Sequence, residues 1–188
     1  MDNVFIISGA AGSGKDSVID GLQSILPIER IITSTTREKR PFESEGHPYY
    51  FLSREEFERR VAAGEFIEHS TNENGGLYGV TRSELERIAK KDRIAIWRVE
   101  WKGVMAIKKL YPDIPALYIS APLDVLETRL RSRDHGKDES YFKERMAYTR
   151  EWLNHLDIYD YQVENEEGKL EQTIEQVANI IKKHTAKK

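Results

Sequence analysis

The sequence has no cysteine among its 188 residues. Disulfide bonds, a thiol nucleophile and a zinc site with cysteine ligands are therefore excluded. No apolar run approaches the length of about 18 residues that a membrane-spanning helix needs, and the N-terminal MDNVFIISGA lacks the basic segment of a signal peptide. Basic residues are not in excess either, since the formal net charge is −3. We expect a soluble, cytoplasmic protein that binds neither nucleic acid nor membranes.

What the sequence does have is an alternation of strand-like and helical segments. Strand-like runs cover 4–8, 30–34, 94–99, 116–120 and 161–164. Helical patterns begin near 15, run through 103–110, begin again near 122, cover 139–156 and start once more near 170. Apolar strands with helices between them predict an α/β fold, in which a parallel sheet is covered by helices on both faces.

The stretch 35–83 breaks this alternation. It combines a polar loop, short strand-like runs and two capping boxes, at 53–56 and 81–84, that mark helix starts. A second polar break, SRDHGKDE at 132–139, is typical of a mobile lid between two helices. We predict a single domain over 1–188, with a core formed by 1–34, 84–132 and 146–188, a small mixed α/β substrate-binding insert at 35–83 and a lid at 133–145.

A phosphate-binding loop follows the first strand. GAAGSGKDS at 9–17 matches the pattern G-x-x-x-x-G-K-[S/T] except that Asp16 stands where the hydroxyl is expected. Backbone N–H groups and the helix N-terminus would hold the phosphates of ATP, and Lys15 would reach their outer oxygens. The alternative is a chance glycine turn, but the lysine, the spacing and the strand–helix context all agree. The predicted ATP-binding residues of the loop are Gly9, Ala10, Ala11, Gly12, Ser13, Gly14, Lys15, Asp16 and Ser17, and the Ser17 hydroxyl is a candidate ligand for Mg²⁺.

Further motifs resemble those of the guanylate kinase family. They are STTREKR (34–40), GHPYYFLSREEFERRVAAGEFIEHS (46–70), LYGV (77–80) and RLRSR (129–133), and with the loop they extend the resemblance from about residue 4 to about residue 183. The resemblance implies a P-loop core with a five-stranded parallel sheet, an insert that binds a nucleoside monophosphate, and a lid. It also implies phosphoryl transfer from ATP, with Mg²⁺, to an acceptor that is GMP or dGMP.

The resemblance assigns residues to the acceptor. Arg37, Arg40, Tyr49 and Tyr78 would surround its phosphate, and two arginines three positions apart can fork a dianion. Glu68 would accept hydrogen bonds from N1–H and the 2-amino group of guanine, which adenine cannot offer. Thr33, Ser34 and Glu100 complete the predicted GMP site. The family has a serine or threonine where this chain has Val80, so one hydroxyl donor to the base is missing.

The resemblance also assigns the residues of phosphoryl transfer. Lys15, Arg133 and Arg145 are the predicted catalytic residues, and Arg129 and Asn165 are placed with ATP. Arg131 is interpreted as a solvated surface residue. The attacking group would be a phosphate oxygen that is already anionic, so positioning and charge neutralisation suffice without a catalytic base.

Two positions depart from the family in opposite sign. Asp16 follows the loop lysine, and Arg98 replaces the first acid of the family pattern D-I-D-x-Q-G, of which Glu100 keeps the second. We predict that Asp16 and Arg98 form an ion pair beneath the loop, with Mg²⁺ held mainly by phosphate oxygens, water and Ser17. Alternatively, the helix dipole alone favours Asp16, and Arg98 binds phosphate or points elsewhere.

Two other functions stay open from the sequence. GSGKDS, YGV and RPF (40–42) resemble ribose 1,5-bisphosphate phosphokinases, which share the fold and phosphorylate a sugar phosphate. The third hypothesis is a non-catalytic guanylate-kinase-like binding module. Such modules usually lose the loop lysine and glycines, which this chain keeps. Glu68, Arg37 and Tyr49 favour a nucleotide acceptor.

Overall fold

The computed structural model describes residues 3–72 and 75–186. Residues 1–2, 73–74 and 187–188, which fall in the predicted core and insert, lie outside this part of the chain. The strands are β1 (Val4–Ser8), β2 (Ile28–Ile31), β3 (Thr33–Thr35), β4 (Ser44–Glu45), β5 (Pro48–Phe51), β6 (Phe66–Thr71), β7 (Leu77–Thr81), β8 (Ile94–Arg98), β9 (Ala116–Ser120) and β10 (Tyr161–Glu164). The helices are α1 (Lys15–Leu22), α2 (Arg54–Ala62), α3 (Arg82–Ala89), α4 (Trp101–Leu110), α5 (Leu123–Arg133), α6 (Glu139–Leu153) and α7 (Leu170–Thr185).

Five parallel strands form the core sheet, in the order β10-β9-β1-β8-β2. Alternate residues of β1 face opposite sides: Ile6 joins one apolar cluster with α4, and Ile7 joins another with α1 and α7. The apolar runs are therefore continuous because both faces of the sheet are covered. The predicted α/β fold with a five-stranded parallel sheet is confirmed.

A second sheet stands beside the core, in the order β4-β5-β3-β7-β6. The predicted single strand at 30–34 was wrong, because the chain leaves the core sheet after Ile31 and enters the second sheet at Thr33. At the break, the backbone N–H of Ile32 donates to Oε1 of Glu84 over 2.7 Å instead of to a neighbouring strand. A strand prediction from apolar character alone cannot see this side-chain partner.

The helix starts predicted from the capping boxes are confirmed. Ser53 Oγ accepts from Glu56 N–H over 3.1 Å, and Thr81 Oγ1 accepts from Glu84 N–H over 3.3 Å, as N-cap residues do. The helix predicted at 139–156 is shorter, since α6 ends at Leu153 and a short 3₁₀ turn follows. Within the described ranges, no helix is both long and apolar enough to cross a membrane.

Candidate active site

A cavity of about 420 Å³ lies between the C-terminal ends of the core strands and the second sheet. This edge is where open parallel α/β sheets bind their ligands. The cavity brings together thirteen of the residues predicted from the sequence: Gly9, Ala11, Lys15, Asp16, Thr33, Arg37, Arg40, Tyr49, Glu68, Tyr78, Glu100, Arg133 and Arg145. Residues of the loop, the second sheet and the α5–α6 region therefore share one solvent-accessible space.

The loop between β1 and α1 has the backbone of a phosphate cradle. Gly12 and Gly14 have φ angles of 86° and 81°, in the left-handed region that favours glycine. Gly9 is required for a different reason, because a Cβ there would lie 2.4 Å from the carbonyl oxygen of Ile119. Ala10 and Ser13 are fully buried, and neither lines the cavity.

Asn165 supports the loop from below. Its Nδ2 donates to the carbonyl oxygen of Ser13 over 2.9 Å, and its Oδ1 accepts from Thr173 Oγ1 over 3.3 Å. The side chain is 5% exposed, and its amide is committed to the protein. Asn165 therefore fixes the shape of the loop, and its predicted place beside the adenine of ATP stays a prediction.

Lys15 lies in the cavity at the first position of α1. Burial and, after it, the positive charge of Arg98 lower the pKa of its ammonium group to about 8, while Asp16 and Glu100 oppose the shift. A lysine in this state gains its full charge when an anion arrives. This is the electrostatic behaviour expected of a lysine that binds phosphate.

The predicted ion pair between Asp16 and Arg98 is confirmed. Arg98 Nε lies 2.6 Å from Asp16 Oδ1, and Nη2 donates to Oδ2 over 3.0 Å. The contact follows from the register, since Arg98 pairs with Ile7 at the end of β1, two residues before the loop begins. Burial would raise the pKa of Asp16, but the charges of Arg98 and Lys15 hold it below its ordinary value.

Arg98 also reaches the second sheet. Its Nη1 donates to the hydroxyl of Tyr49, and its guanidinium lies 5.7 Å from the centroid of that ring. One side chain therefore connects Asp16 of the phosphate loop with a residue predicted to bind the acceptor phosphate. The sequence suggested the contact with Asp16 through opposite charges but carried no signal for the contact with Tyr49.

Glu43 holds the predicted phosphate-binding arginine of the second sheet. Arg37 Nη2 donates to both carboxylate oxygens of Glu43, over 2.7 and 2.9 Å, and the backbone N–H of Arg40 donates to the same carboxylate over 2.9 Å. The Arg37 guanidinium also lies 5.4 Å from the centroid of the Tyr49 ring. Sequence reasoning missed Glu43, although an acid six residues after Arg37 in the same loop was a usable signal.

Glu68 is the buried carboxyl group of the cavity. Its residue is 7% exposed, and burial raises its pKa to about 8, although the backbone N–H of Val80 opposes the shift. Val80 itself is fully buried in an apolar cluster with Trp97 and does not line the cavity. Val80 pairs with Glu68 across β6 and β7, so position 80 lies on the same face of the second sheet as the carboxyl group.

Of the two predicted hydroxyl residues on β3, only Thr33 lines the cavity. Ser34 is 2% exposed, and because side chains alternate along a strand it faces away from Thr33. Glu100 lines the cavity and accepts a hydrogen bond from the hydroxyl of Tyr148 over 3.0 Å. Tyr148 also lines the cavity, and no motif in the sequence selects it.

The end of α5 carries Arg133. Asp134 binds its guanidinium with both oxygens, over 2.8 and 2.9 Å, and accepts a further hydrogen bond from Tyr141 OH over 2.6 Å. Arg145 lies with its guanidinium 5.5 Å from the Tyr141 ring centroid. Burial and the charge of Arg40 lower the pKa of Arg145, so the second sheet and α6 both bring positive charge to one place.

The other two arginines of α5 point elsewhere. Arg129 Nη1 donates to the Gly12 carbonyl oxygen over 3.3 Å, and Nη2 lies 2.6 Å from the Glu167 carboxylate. Arg131 forms ion pairs with Glu127 and Glu139, at 2.8 and 2.7 Å, outside the cavity. The interpretation of Arg131 as a surface residue agrees with this arrangement.

Oxygen ligands suitable for Mg²⁺ are few. Ser17 is exposed in the first turn of α1, and the Asp16 carboxylate is engaged by Arg98. Within residues 3–72 and 75–186, no group of three or more acidic or histidine side chains is arranged to hold a metal ion. A hydroxyl, a carboxylate and phosphate oxygens nevertheless match the hard ligands of Mg²⁺, which commonly takes few ligands from the protein and keeps several waters.

Comparisons with known proteins agree on one family. The family model described as guanylate kinase matches residues 1–184. A curated guanylate kinase of Idiomarina loihiensis is 35% identical over 171 residues, which is 89% of this chain and 80% of that protein. The curated guanylate kinase of Porphyromonas gingivalis is 33% identical over 190 residues and covers 100% of both chains.

Solved structures give the same result. The crystal structure of guanylate kinase from Anaplasma phagocytophilum has a TM-score of 0.77 and 28% identity, and it covers 97% of this chain and 86% of that chain. A shikimate kinase from Bacteroides thetaiotaomicron, at 12% identity, 95% coverage of this chain, 98% of that chain and a TM-score of 0.51, shares the fold alone. The chain belongs to the guanylate kinase family.

Proposed function

We propose that this protein transfers a phosphoryl group from ATP to GMP or dGMP, with Mg²⁺. The observation that carries the proposal is a single cavity in which the phosphate loop with Lys15 faces a buried carboxyl group, Glu68, and the arginines of the second sheet. A donor phosphate site and an acceptor nucleotide site therefore open onto the same space.

The donor half is formed by the loop and by α5. ATP phosphates bind the backbone N–H groups between Gly9 and Lys15, and the Lys15 ammonium neutralises their outer oxygens. Arg129 donates to the loop carbonyl of Gly12, and its predicted role beside the ATP phosphates stays a prediction. Mg²⁺, bound by phosphate oxygens, water and Ser17, would supply further charge neutralisation.

The acceptor half recognises the base and the phosphate separately. Glu68, as a carboxylate, accepts hydrogen bonds from N1–H and the 2-amino group of guanine. Adenine has an acceptor at N1 and no 2-amino group, so it would leave the carboxylate unpaired. Arg37, with Tyr49 and Tyr78 beside it, binds the acceptor phosphate by charge-assisted and neutral hydrogen bonds.

The transfer needs no proton acceptor. An oxygen of the acceptor phosphate attacks the γ-phosphorus of ATP, and the bond from that phosphorus to the β–γ bridging oxygen breaks, so ADP leaves. Lys15, Arg133 and Arg145 neutralise the charge on the equatorial oxygens as this happens. We assign 133–145 as the lid that carries these arginines, 35–83 as the acceptor-binding insert and the remainder as the core. A cytoplasmic location stays a prediction from the sequence.

An ADP-release assay with GMP, dGMP, AMP, UMP and ribose 1,5-bisphosphate tests the proposal. We expect GMP to be preferred over AMP by at least about tenfold in kcat/KM, because an unpaired buried acceptor costs roughly 1–3 kcal/mol. Turnover of ribose 1,5-bisphosphate without turnover of any purine monophosphate would replace the proposed acceptor with a sugar phosphate. ATP binding without any turnover would instead indicate a binding module.

A further inference from the structure

Ser70 lies on the same face of β6 as Glu68. The two residues are two positions apart, so their side chains project to the same side of the strand about 6–7 Å from each other. Both line the cavity. Across the neighbouring strand β7, Glu68 pairs with Val80 and Ser70 pairs with Tyr78. Ser70 thus lies at the end of the cavity that carries Tyr78, two positions from the buried carboxyl group.

The hydroxyl of Ser70 is available for a ligand. The residue is half-buried, and within residues 3–72 and 75–186 its Oγ makes no hydrogen bond. Its neighbour on the same face, Asn72, is committed to a turn, because its Oδ1 accepts from the backbone N–H of Gly76 over 2.8 Å. Thr33 also lines the cavity but belongs to β3, which β7 separates from β6.

Guanine presents two kinds of edge to a protein. N1–H and the 2-amino group donate, whereas O6 and N7 only accept. The carboxylate of Glu68 accepts only, so it satisfies the first edge and leaves O6 and N7 in need of a donor. Val80, opposite Glu68, has no donor in its side chain and is fully buried. The nearest hydroxyl along the Glu68 face of β6 is that of Ser70.

We propose that the Ser70 hydroxyl donates a hydrogen bond to the acceptor edge of guanine, O6 or N7, when Glu68 holds N1–H and the 2-amino group. Ser70 is then a base-binding residue of the acceptor site. The inference rests on the proposed function, since it places a guanine nucleotide against Glu68. It adds a contact on β6 that compensates for the lack of a hydroxyl at position 80.

Base analogues separate this contact from other roles of Ser70. The test measures kcat/KM for GMP, 6-thio-GMP and 7-deaza-GMP with the wild type and with Ser70→Ala. 6-Thio-GMP keeps N1–H and the 2-amino group but has a weak acceptor at position 6, and 7-deaza-GMP has none at position 7. We expect Ser70→Ala to lower kcat/KM for GMP by about 3- to 10-fold, as the loss of one neutral hydrogen bond does, mainly through KM.

The two analogues identify the guanine atom that accepts the hydrogen bond from Ser70, because each weakens or removes one of the two acceptors. For the analogue that changes this atom, the effect of Ser70→Ala should fall below about twofold, since the hydrogen bond is already absent. Thr71→Val is the matched control, because Thr71 is the next residue of β6 and lies on the opposite, exposed face. It should leave all three nucleotides unchanged. Ser70→Cys, which is close in size and a weak donor, should behave like Ser70→Ala and guards against a cavity effect of alanine.

Three outcomes would overturn the inference. Equal losses for GMP and both analogues would place the hydroxyl on the phosphate or in the fold, and unchanged kinetics in Ser70→Ala and Ser70→Cys would leave it without a role. In both cases wild-type turnover of GMP keeps the proposed function intact. A wild type that does not phosphorylate GMP fails the proposed function itself, and the inference fails with it.

Discussion

Arg98 Nε lies 2.6 Å from Asp16 Oδ1, so the last residue of β8 is ion-paired with the second residue of α1. Each member alone would be unfavourable in a cavity for phosphates: the aspartate would repel them, and the arginine would sit close to the Lys15 ammonium. Together they add no net charge beside the loop. The pair is partly exposed, with side-chain accessibilities of 28% for Arg98 and 49% for Asp16, so we expect a moderate rather than a large contribution to stability.

A double-mutant cycle measures this pair. Asp16→Ala and Arg98→Ala should each destabilise the protein, and the double variant should be milder than their sum, with a coupling free energy of about 0.5–2 kcal/mol from urea unfolding. Both single variants should also lose activity, because each leaves an unpaired charge beside Lys15. Arg131→Ala with Glu139→Ala is the control cycle at an exposed pair of similar length. Strict additivity at Asp16 and Arg98 would contradict a functional pair.

Proton uptake on ATP binding tests the state of Lys15. With a pKa of about 8, Lys15 is mostly neutral at pH 9 and mostly charged at pH 7 in the protein without nucleotide. Bound phosphates favour the charged form, so ATP should take up nearly one proton at pH 9 and few at pH 7. Calorimetry in two buffers of different ionisation enthalpy measures this number. Lys15→Arg, which stays charged throughout, should abolish the uptake at pH 9; equal uptake in both proteins would assign it to another group.

Glu68 predicts a dependence of stability on pH. Its pKa of about 8 lies above the ordinary value of 4.5, so the native state holds a proton that the unfolded state loses. The free energy of unfolding should therefore fall as pH rises from about 4.5 to about 8, relative to a protein without this group. Glu68→Gln should match the wild type near pH 4 and exceed it by a few kcal/mol at pH 8, since one unit of pKa corresponds to about 1.4 kcal/mol.

The two proteins are compared by urea unfolding at pH 4, 6 and 8, without nucleotide. A constant difference across this range would show that the carboxyl group has an ordinary pKa. The same variant should lose most GMP kinase activity, because a neutral amide cannot accept from both N1–H and the 2-amino group as the carboxylate does.

Replacing the arginines of α5 and α6 should lower kcat only where the arginine lines the cavity. Removal of a positioned cation from a phosphoryl-transfer site costs roughly 10³–10⁵ in kcat, and we expect Lys15→Ala to approach this range, with substantial losses for Arg133→Ala and Arg145→Ala. Arg131→Ala should change kcat by less than about twofold, since its partners are Glu127 and Glu139. Steady-state kinetics at saturating ATP and GMP provide the comparison. Similar losses at positions 131 and 133 would contradict the assignment of helix faces.

The phosphate loop, the parallel core sheet and most cavity residues were predictable because they follow from local signals. Short apolar runs predict buried strands, and the loop needs its glycines and lysine at fixed spacing. The contact from Arg98 to Tyr49 was not predictable, since the two residues are 49 positions apart in the sequence and lie on different sheets. Which of Thr33 and Ser34 faces the cavity, and whether Val80 is buried, depends on how β3 and β7 are placed in the second sheet.

Four arginines in or beside the cavity share a feature with a thermodynamic consequence. Arg98, Arg37, Arg129 and Arg133 are paired with Asp16, Glu43, Glu167 and Asp134. A nucleotide that engages such an arginine replaces a carboxylate with a phosphate, so anion exchange accompanies binding and the released carboxylate regains its hydration. Less net charge is then neutralised than the number of arginines suggests, and the affinity for nucleotides should fall only gently as the salt concentration rises.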